Sequence, residues 1–372
     1  MVVTAPVTEP EGWISADSHL VELPNTYSAG LPLALRDRAP HVACHERLGD
    51  VYVIPGLPHP VPLGFARPSD PDSRVAVGPR AVLADLRPGG AEPEARLQDQ
   101  DRDGVRAEIL YPTVGLAVLR QPDLVLRRAC AGAYNEWMQS VCAAAPDRLH
   151  GVAILAPCGP EDAPAEVRRA VGGGAAGLLA SVQPEGVDYH DPVWSPFFDA
   201  VVATGLPLSF HALGSPARAS RGPALAALAT QGHEAQELLA TLIFGGVLDR
   251  WPTLPIVLAE YDASWVGHLA SRMDRLADTH HGWGTPTGQS DRRPSEVIDA
   301  QVHLAFANDP LALSAALSWP SGRLMWGNDY PHAEGTWPRS RELLAGATAR
   351  VAQDRLAAFT SGTAAHLYGL AP

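Results

Sequence analysis

Asp17 and His19 stand two residues apart in ADSHLVE. An extended chain sends alternate side chains to the same face, so a carboxylate and an imidazole leave this segment together. His211 closes the run LPLSFH, and Asp329 follows LMWGN. Two neutral imidazoles and two carboxylates form a donor set for one divalent ion, Zn²⁺ first and Mn²⁺ or Fe²⁺ behind it. Such an ion brings the pKa of a bound water to about 7 and polarises a carbonyl or carboxylate. His332, three residues after Asp329, is expected to line the same pocket. Glu22, three after His19, is either a group that orients a ligand imidazole or a solvated loop acid.

Four side chains so far apart in sequence meet only if strands carry them to a common end. Eight short apolar runs fall at 14–19, 107–112, 150–155, 176–181, 206–211, 256–260, 302–307 and 324–328. Helical patterns lie between most of them, at 122–145, 162–171, 192–204, 223–248 and 263–277, with terminal helices at 338–349 and 353–368. Strands apolar on both faces and alternating with helices predict the α/β class, as a closed (β/α)₈ TIM barrel. An open doubly wound sheet would carry a glycine fingerprint after an early strand; the run Gly172 to Gly174 instead sits at a helix end. The chain reads as one domain, 1–372. A proline-rich insertion at 20–93 follows the first strand as a lid or arm, with a charged helix at 94–103 behind it, and helices fill 338–372. A second loop spans 280–293. Trp194, Trp326 and Trp337, near strand ends, are read as core packing or as a wall for a planar substrate.

Composition narrows the chemistry. All 28 basic residues of the 372 are arginine, which excludes Schiff-base, pyridoxal and phosphate-loop lysine chemistry and a lysine-carbamate bridge. A formal charge of −13 with no basic stripe argues against nucleic acid and for a small-molecule substrate. No run is long and apolar enough for a membrane span, so a soluble protein with no membrane partner is expected. Four cysteines without CxxC spacing read as reduced thiols, and the first residues lack an export signal; a cytoplasmic location is expected.

The segments ADSHLVE, DRDGVRAEILYPT, AYNEWMQSVCAAAPDRLHGVAILAP, DPVWSPFFDAVVATGLPLSFH, SWVGHLASRMD and MWGNDYPHAEGTWPRS resemble the amidohydrolase-related family that includes aminocarboxymuconate-semialdehyde decarboxylase and the resorcylate-type decarboxylases. They run in family order from about residue 14 to 370. The resemblance implies a barrel with one divalent metal on Asp17, His19, His211 and Asp329, and a homodimer or higher assembly. The decarboxylases carry a catalytic histidine at the end of strand six, where this chain reads VLAEYDASWV and has Glu260. Near the C-terminus, Thr363 takes a place usually held by asparagine. A glutamate serves as a base towards water or as a further ligand, so the reaction expected first is metal-dependent hydrolysis of a small carbonyl compound. Asp329 and Glu260 then share the proton-transfer role. The alternative is non-oxidative decarboxylation of a small acid, aromatic or not, and the second alternative is a barrel without catalysis that only binds.

Overall fold

The computed structural model describes residues 12–68, 78–214, 223–280, 292–315, 323–348, 351 and 353–371. Eight parallel strands form the barrel: β1 (Trp13–Leu20), β5 (Val105–Pro112), β6 (Leu149–Ile154), β7 (Gly177–Leu179), β8 (Leu208–His211), β9 (Ile256–Ala259), β10 (Val302–Phe306) and β11 (Leu324–Trp326). Three more strands, β2 (His41–His45), β3 (Gly49–Val53) and β4 (Val61–Pro62), make a separate antiparallel sheet. Every expected run carries a barrel strand. They are buried along nearly their whole length, as strands covered inside by one another and outside by helices must be.

The seam between the first and last strands is joined just past the end of β11. There the Asp329 N–H donates to the Asp17 carbonyl at 2.9 Å, and the His19 N–H to the Tyr330 carbonyl at 2.6 Å. Gly327 allows this approach, because a Cβ at that position would stand 2.6 Å from the Cβ of Asp17 and 2.8 Å from its backbone.

Two expectations change. The helix expected at 223–248 is broken into Ala224–Ala229, Gly232–Phe244 and Val247–Arg250. The second break falls at Gly245 and Gly246, the latter at φ +72°, which hydrophobic periodicity does not register. The insertion at 20–93, of which 69–77 lie outside the described residues, is not one irregular lid: among its described residues are the helix Thr26–Gly30, the β2–β3–β4 sheet and four short 3₁₀ turns. Its strands are only two to five residues long, and β2 and β4 are half-exposed, so they lack the apolar signature of the barrel strands. Tyr52 of β3 donates to the Glu22 carbonyl at 2.6 Å, which ties this sheet to the end of β1.

The charged helix, Pro93–Asp103, turns its polar residues inward. Arg96, 1% exposed, donates to Glu108 of β5 at 2.6 Å and to the His19 carbonyl at 2.7 Å. The C-terminal stretch holds helices Ser340–Thr348, Gln353–Ala357 and Thr363–Tyr368. Of the loop expected at 280–293, residues 281–291 lie outside the described residues. Among the described residues no helix is long and apolar enough to cross a membrane. Trp326 packs edge-on against Trp13 with centroids 4.9 Å apart, and Trp337 against Tyr330 at 5.2 Å, both buried as core rather than as a substrate wall.

Candidate active site

The C-terminal ends of β1, β8, β9 and β11 bring Asp17, His19, His211, Glu260 and Asp329 together. Pairing of β1 with β5 shifts register between Ser15 and Ser18, a local irregularity beside Asp17. Glu260 at φ +61° and Asp329 at φ +54° both occupy the left-handed region, uncommon for residues with a Cβ and characteristic of functional turns. His19 Nε2 stands 3.4 Å from Asp17 Oδ1, 3.3 Å from Asp329 Oδ1 and 3.5 Å from Glu260 Oε2. His211 Nε2 stands 3.4 Å from Asp17 Oδ1 and 3.6 Å from Glu260 Oε2.

These spacings are longer than direct hydrogen bonds between charged groups and are what donors about 2.1 Å from a shared ion would adopt, roughly 3.4 Å apart in a tetrahedral arrangement. His19 Nε2, Asp329 Oδ1 and Glu260 Oε2 are buried atoms with no hydrogen-bond partner. Leaving such atoms unpaired is costly, and three on one centre fit a cation. The other ring nitrogens are engaged: His19 Nδ1 donates to the Pro112 carbonyl at 2.9 Å and His211 Nδ1 to the Ala212 carbonyl at 2.8 Å. That tautomer leaves both Nε2 lone pairs facing the centre. The residues therefore fit one divalent ion.

Burial works against every charge here. At Asp17 it raises the pKa, but His211 and His19 outweigh it and hold the carboxyl below its usual value. At Asp329 burial is likewise overcome, by His332 and His19, and the carboxyl stays well below the ordinary range. Burial would lower His19, yet Asp17, Asp329 and Glu260 carry it well above the ordinary histidine value. His211 is raised against burial by Asp17 and Glu260.

His332 lies at the edge of this group. Its Nδ1 is 3.0 Å from Asp329 Oδ1, its Nε2 is 3.0 Å from Thr113 Oγ1, and its ring stacks on His19 with centroids 3.9 Å apart. Glu22 takes neither expected place. It is buried and accepts from the backbone N–H groups of Val114 at 2.8 Å and Gly115 at 2.7 Å and from the Tyr27 hydroxyl, so it caps the segment that leaves β5. Sequence reasoning did not find Thr113, Arg96 or the Ser15–Ser18–Asn328 cluster. In that cluster Asn328 Oδ1 accepts from Ser18 at 2.8 Å, from Ser15 at 3.1 Å and from the Tyr330 N–H at 3.1 Å. The serines flanking Asp17 in SADSH were the available signal.

A family profile described as Amidohydrolase matches residues 20–370. No curated protein matches. Among solved structures, an amidohydrolase from Mycobacterium avium subsp. paratuberculosis K-10 is similar at TM-score 0.75 and 20% identity, covering 97% of this chain and 100% of that one. A 5-carboxyvanillate decarboxylase from Sphingomonas paucimobilis is similar at 0.67 and 21%, covering 97% and 100%. A dihydroxybenzoic acid decarboxylase from Polaromonas sp. JS666, solved with bound manganese and the inhibitor 2-nitroresorcinol, is similar at 0.63 and 19%, covering 97% and 98%.

Proposed function

We propose, on the premise that the chain belongs to the amidohydrolase family, that it is a divalent-metal-dependent enzyme whose reaction is the non-oxidative decarboxylation of a small carboxylic acid. The observation that carries metal dependence is the convergence of three buried, unpartnered donor atoms, from His19, Glu260 and Asp329, at the mouth of the barrel. Similarity over nearly the whole chain to two decarboxylases supports this choice of reaction over the hydrolysis expected from the sequence. Asp17, His19, His211 and Asp329 would hold the ion, with Glu260 beside them. Three carboxylates favour a hard, oxygen-seeking ion, which places Mn²⁺ level with the Zn²⁺ expected from the sequence, in keeping with the manganese in the Polaromonas enzyme. When bound, the ion supplies a positive charge that anchors a substrate carboxyl or carbonyl oxygen and offsets negative charge developing on it.

The chain's own groups handle the proton. Decarboxylation of R–COO⁻ breaks one C–C bond, releases CO₂ and leaves an electron pair on carbon that takes up a proton to give R–H. His332, with Nδ1 3.0 Å from Asp329 Oδ1 and Nε2 hydrogen-bonded to Thr113, is the half-buried group positioned to deliver it. A homodimer or higher assembly remains part of the proposal.

Hydrolysis is the second reading, and Glu260 favours it. A third carboxylate near both imidazoles opposes an incoming substrate carboxylate and is well placed to take a proton from water. One experiment separates the two. Aromatic and β-keto acids, and a parallel set of esters, lactones and amides, are incubated in H₂¹⁸O with the metal-loaded protein. The first reading expects CO₂ and an organic product without ¹⁸O. An ¹⁸O-labelled acid with no CO₂ overturns it, and Glu260→Gln then lowers hydrolysis by about 10²–10⁴-fold.

A further inference from the structure

The proposed reaction gives no task to the buried polar face of the helix Pro93–Asp103. Arg96 is its centre. Nε donates to Glu108 Oε2 at 2.6 Å, and Nη1 donates to the carbonyls of His19 at 2.7 Å and Gly89 at 3.2 Å. Nη2 is buried without a hydrogen-bond partner, and the guanidinium carbon lies 5.0 Å from the centroid of the Tyr330 ring. Glu108 accepts from other sides as well, from Gln100 at 2.7 Å and from the Ser18 hydroxyl at 3.2 Å. A buried ion pair by itself adds little net stability, and an apolar pair of the same volume would pack as well. What the arginine adds is a rigid fork that meets a carboxylate, two carbonyls and an aromatic face at once.

Two of those contacts reach the metal centre. His19 offers Nε2 to it, and Tyr330 directly follows Asp329. The main chain of His19 is held on both sides, its N–H by the Tyr330 carbonyl at 2.6 Å and its carbonyl by Arg96. The same helix grips the segment after β11. The Tyr330 hydroxyl donates to Asp99, one turn along from Arg96, and Asp103 accepts from the Asn328 amide at 3.2 Å and from the Ser340 hydroxyl at 2.6 Å. Asn328 and Tyr330 are the chain neighbours of Asp329, so the residues on either side of that carboxylate are tied to the helix that also holds His19.

We propose that Arg96 is a positioning residue of the metal centre: through the His19 carbonyl and the Tyr330 ring it fixes the spacing of His19 Nε2 and Asp329 Oδ1, and so sets the affinity for the ion. This rests on the metal-dependent reading above and not on which reaction follows. The test is graded chelator competition against the Mn²⁺-loaded full chain, at a temperature where circular dichroism shows each variant folded, beside urea unfolding of the same preparations. Arg96→Lys keeps a charge beside Glu108 but loses the fork, and is expected to weaken Mn²⁺ binding about 10- to 100-fold. Arg96→Met combined with Glu108→Gln leaves no buried charge unpaired and is expected to weaken it at least as much. Where one of these fails to fold, the other decides. The control is Arg127→Lys. Arg127 is also buried and also serves a carbonyl, Leu119 at 3.1 Å, and a carboxylate, Glu185 at 2.6 Å, but touches no donor. It is expected to lower the urea midpoint and leave Mn²⁺ affinity within about twofold of wild type. Wild-type affinity in the Arg96 variants would make Arg96 a brace for the fold alone and overturn the inference. So would an equal loss of affinity in Arg127→Lys, since affinity would then follow stability rather than position. Wild type that retains neither Mn²⁺ nor Zn²⁺ overturns the metal-dependent reading itself and this inference with it, a result distinct from the others because it needs no variant.

Discussion

At the residue scale the site is defined by which atoms face the centre and what fixes them there. Asp17, His19, His211 and Asp329 were legible because each closes or follows a strand, and strand ends of a barrel share one mouth. Glu260 emerged only from the resemblance, since a glutamate at a strand end carries no signal of its own. Thr113 was not legible at all: it lies one residue past Pro112 at the end of β5, and only the fold places its hydroxyl 3.0 Å from His332 Nε2. Because that hydroxyl orients a ring that also meets Asp329, Thr113→Val is expected to lower kcat about 10- to 100-fold with KM and metal content little changed. Steady-state kinetics beside metal analysis of the same preparation checks this. A fall in metal content instead would make Thr113 a support for the donor set rather than for the proton path.

At the element scale, closure of the barrel and construction of the site are one event. The Asp329–Asp17 and His19–Tyr330 backbone bonds join the first and last strands through the residues that carry the donors. Gly327→Ala would press a methyl against Asp17 Cβ at 2.6 Å, so it is expected to destabilise by about 1–3 kcal/mol and to weaken metal binding together with stability. Urea unfolding with and without added metal reads both, and a loss of stability with unchanged metal affinity would separate the seam from the site. Next to β11, β10 buries His303. Burial and Arg323 push its pKa down to about 4, and its Nε2 accepts from Arg323 at 3.1 Å. A histidine depressed in the folded state favours unfolding once protonated. Its contribution is complete above the unfolded value of about 6.5 and is lost as pH falls towards 4, by about 3 kcal/mol at most. Stability measured from pH 7.5 to 4.5 is expected to fall less steeply in His303→Asn than in wild type; parallel curves would remove His303 from the acid response. The element pattern itself was readable wherever strands are apolar on both faces. It failed at 20–93, where short, partly exposed strands imitate loop composition, and at Gly245–Gly246, where backbone conformation overrides an unbroken apolar rhythm.

At the scale of the whole molecule, an arginine-only basic set and a charge of −13 surround a mouth that itself gathers three carboxylates. A lysine-carbamate bridge is impossible without a lysine, so a resident cation would be held by carboxylates and imidazoles alone. Overall architecture was legible from the order of apolar runs because a parallel sheet closed by crossovers admits few arrangements. The partner across β1, by contrast, depended on a small helix, Pro93–Asp103, whose charged sequence gave no hint that Arg96 is buried against Glu108 and the His19 carbonyl. The central claim is that these side chains hold one divalent ion. Elemental analysis of purified wild type and His211→Ala tests it directly. About one equivalent of a divalent transition metal is expected in wild type, and a loss of most of it in the variant at unchanged fold. Less than about 0.2 equivalents in wild type, not restored by added Mn²⁺ or Zn²⁺, would contradict it.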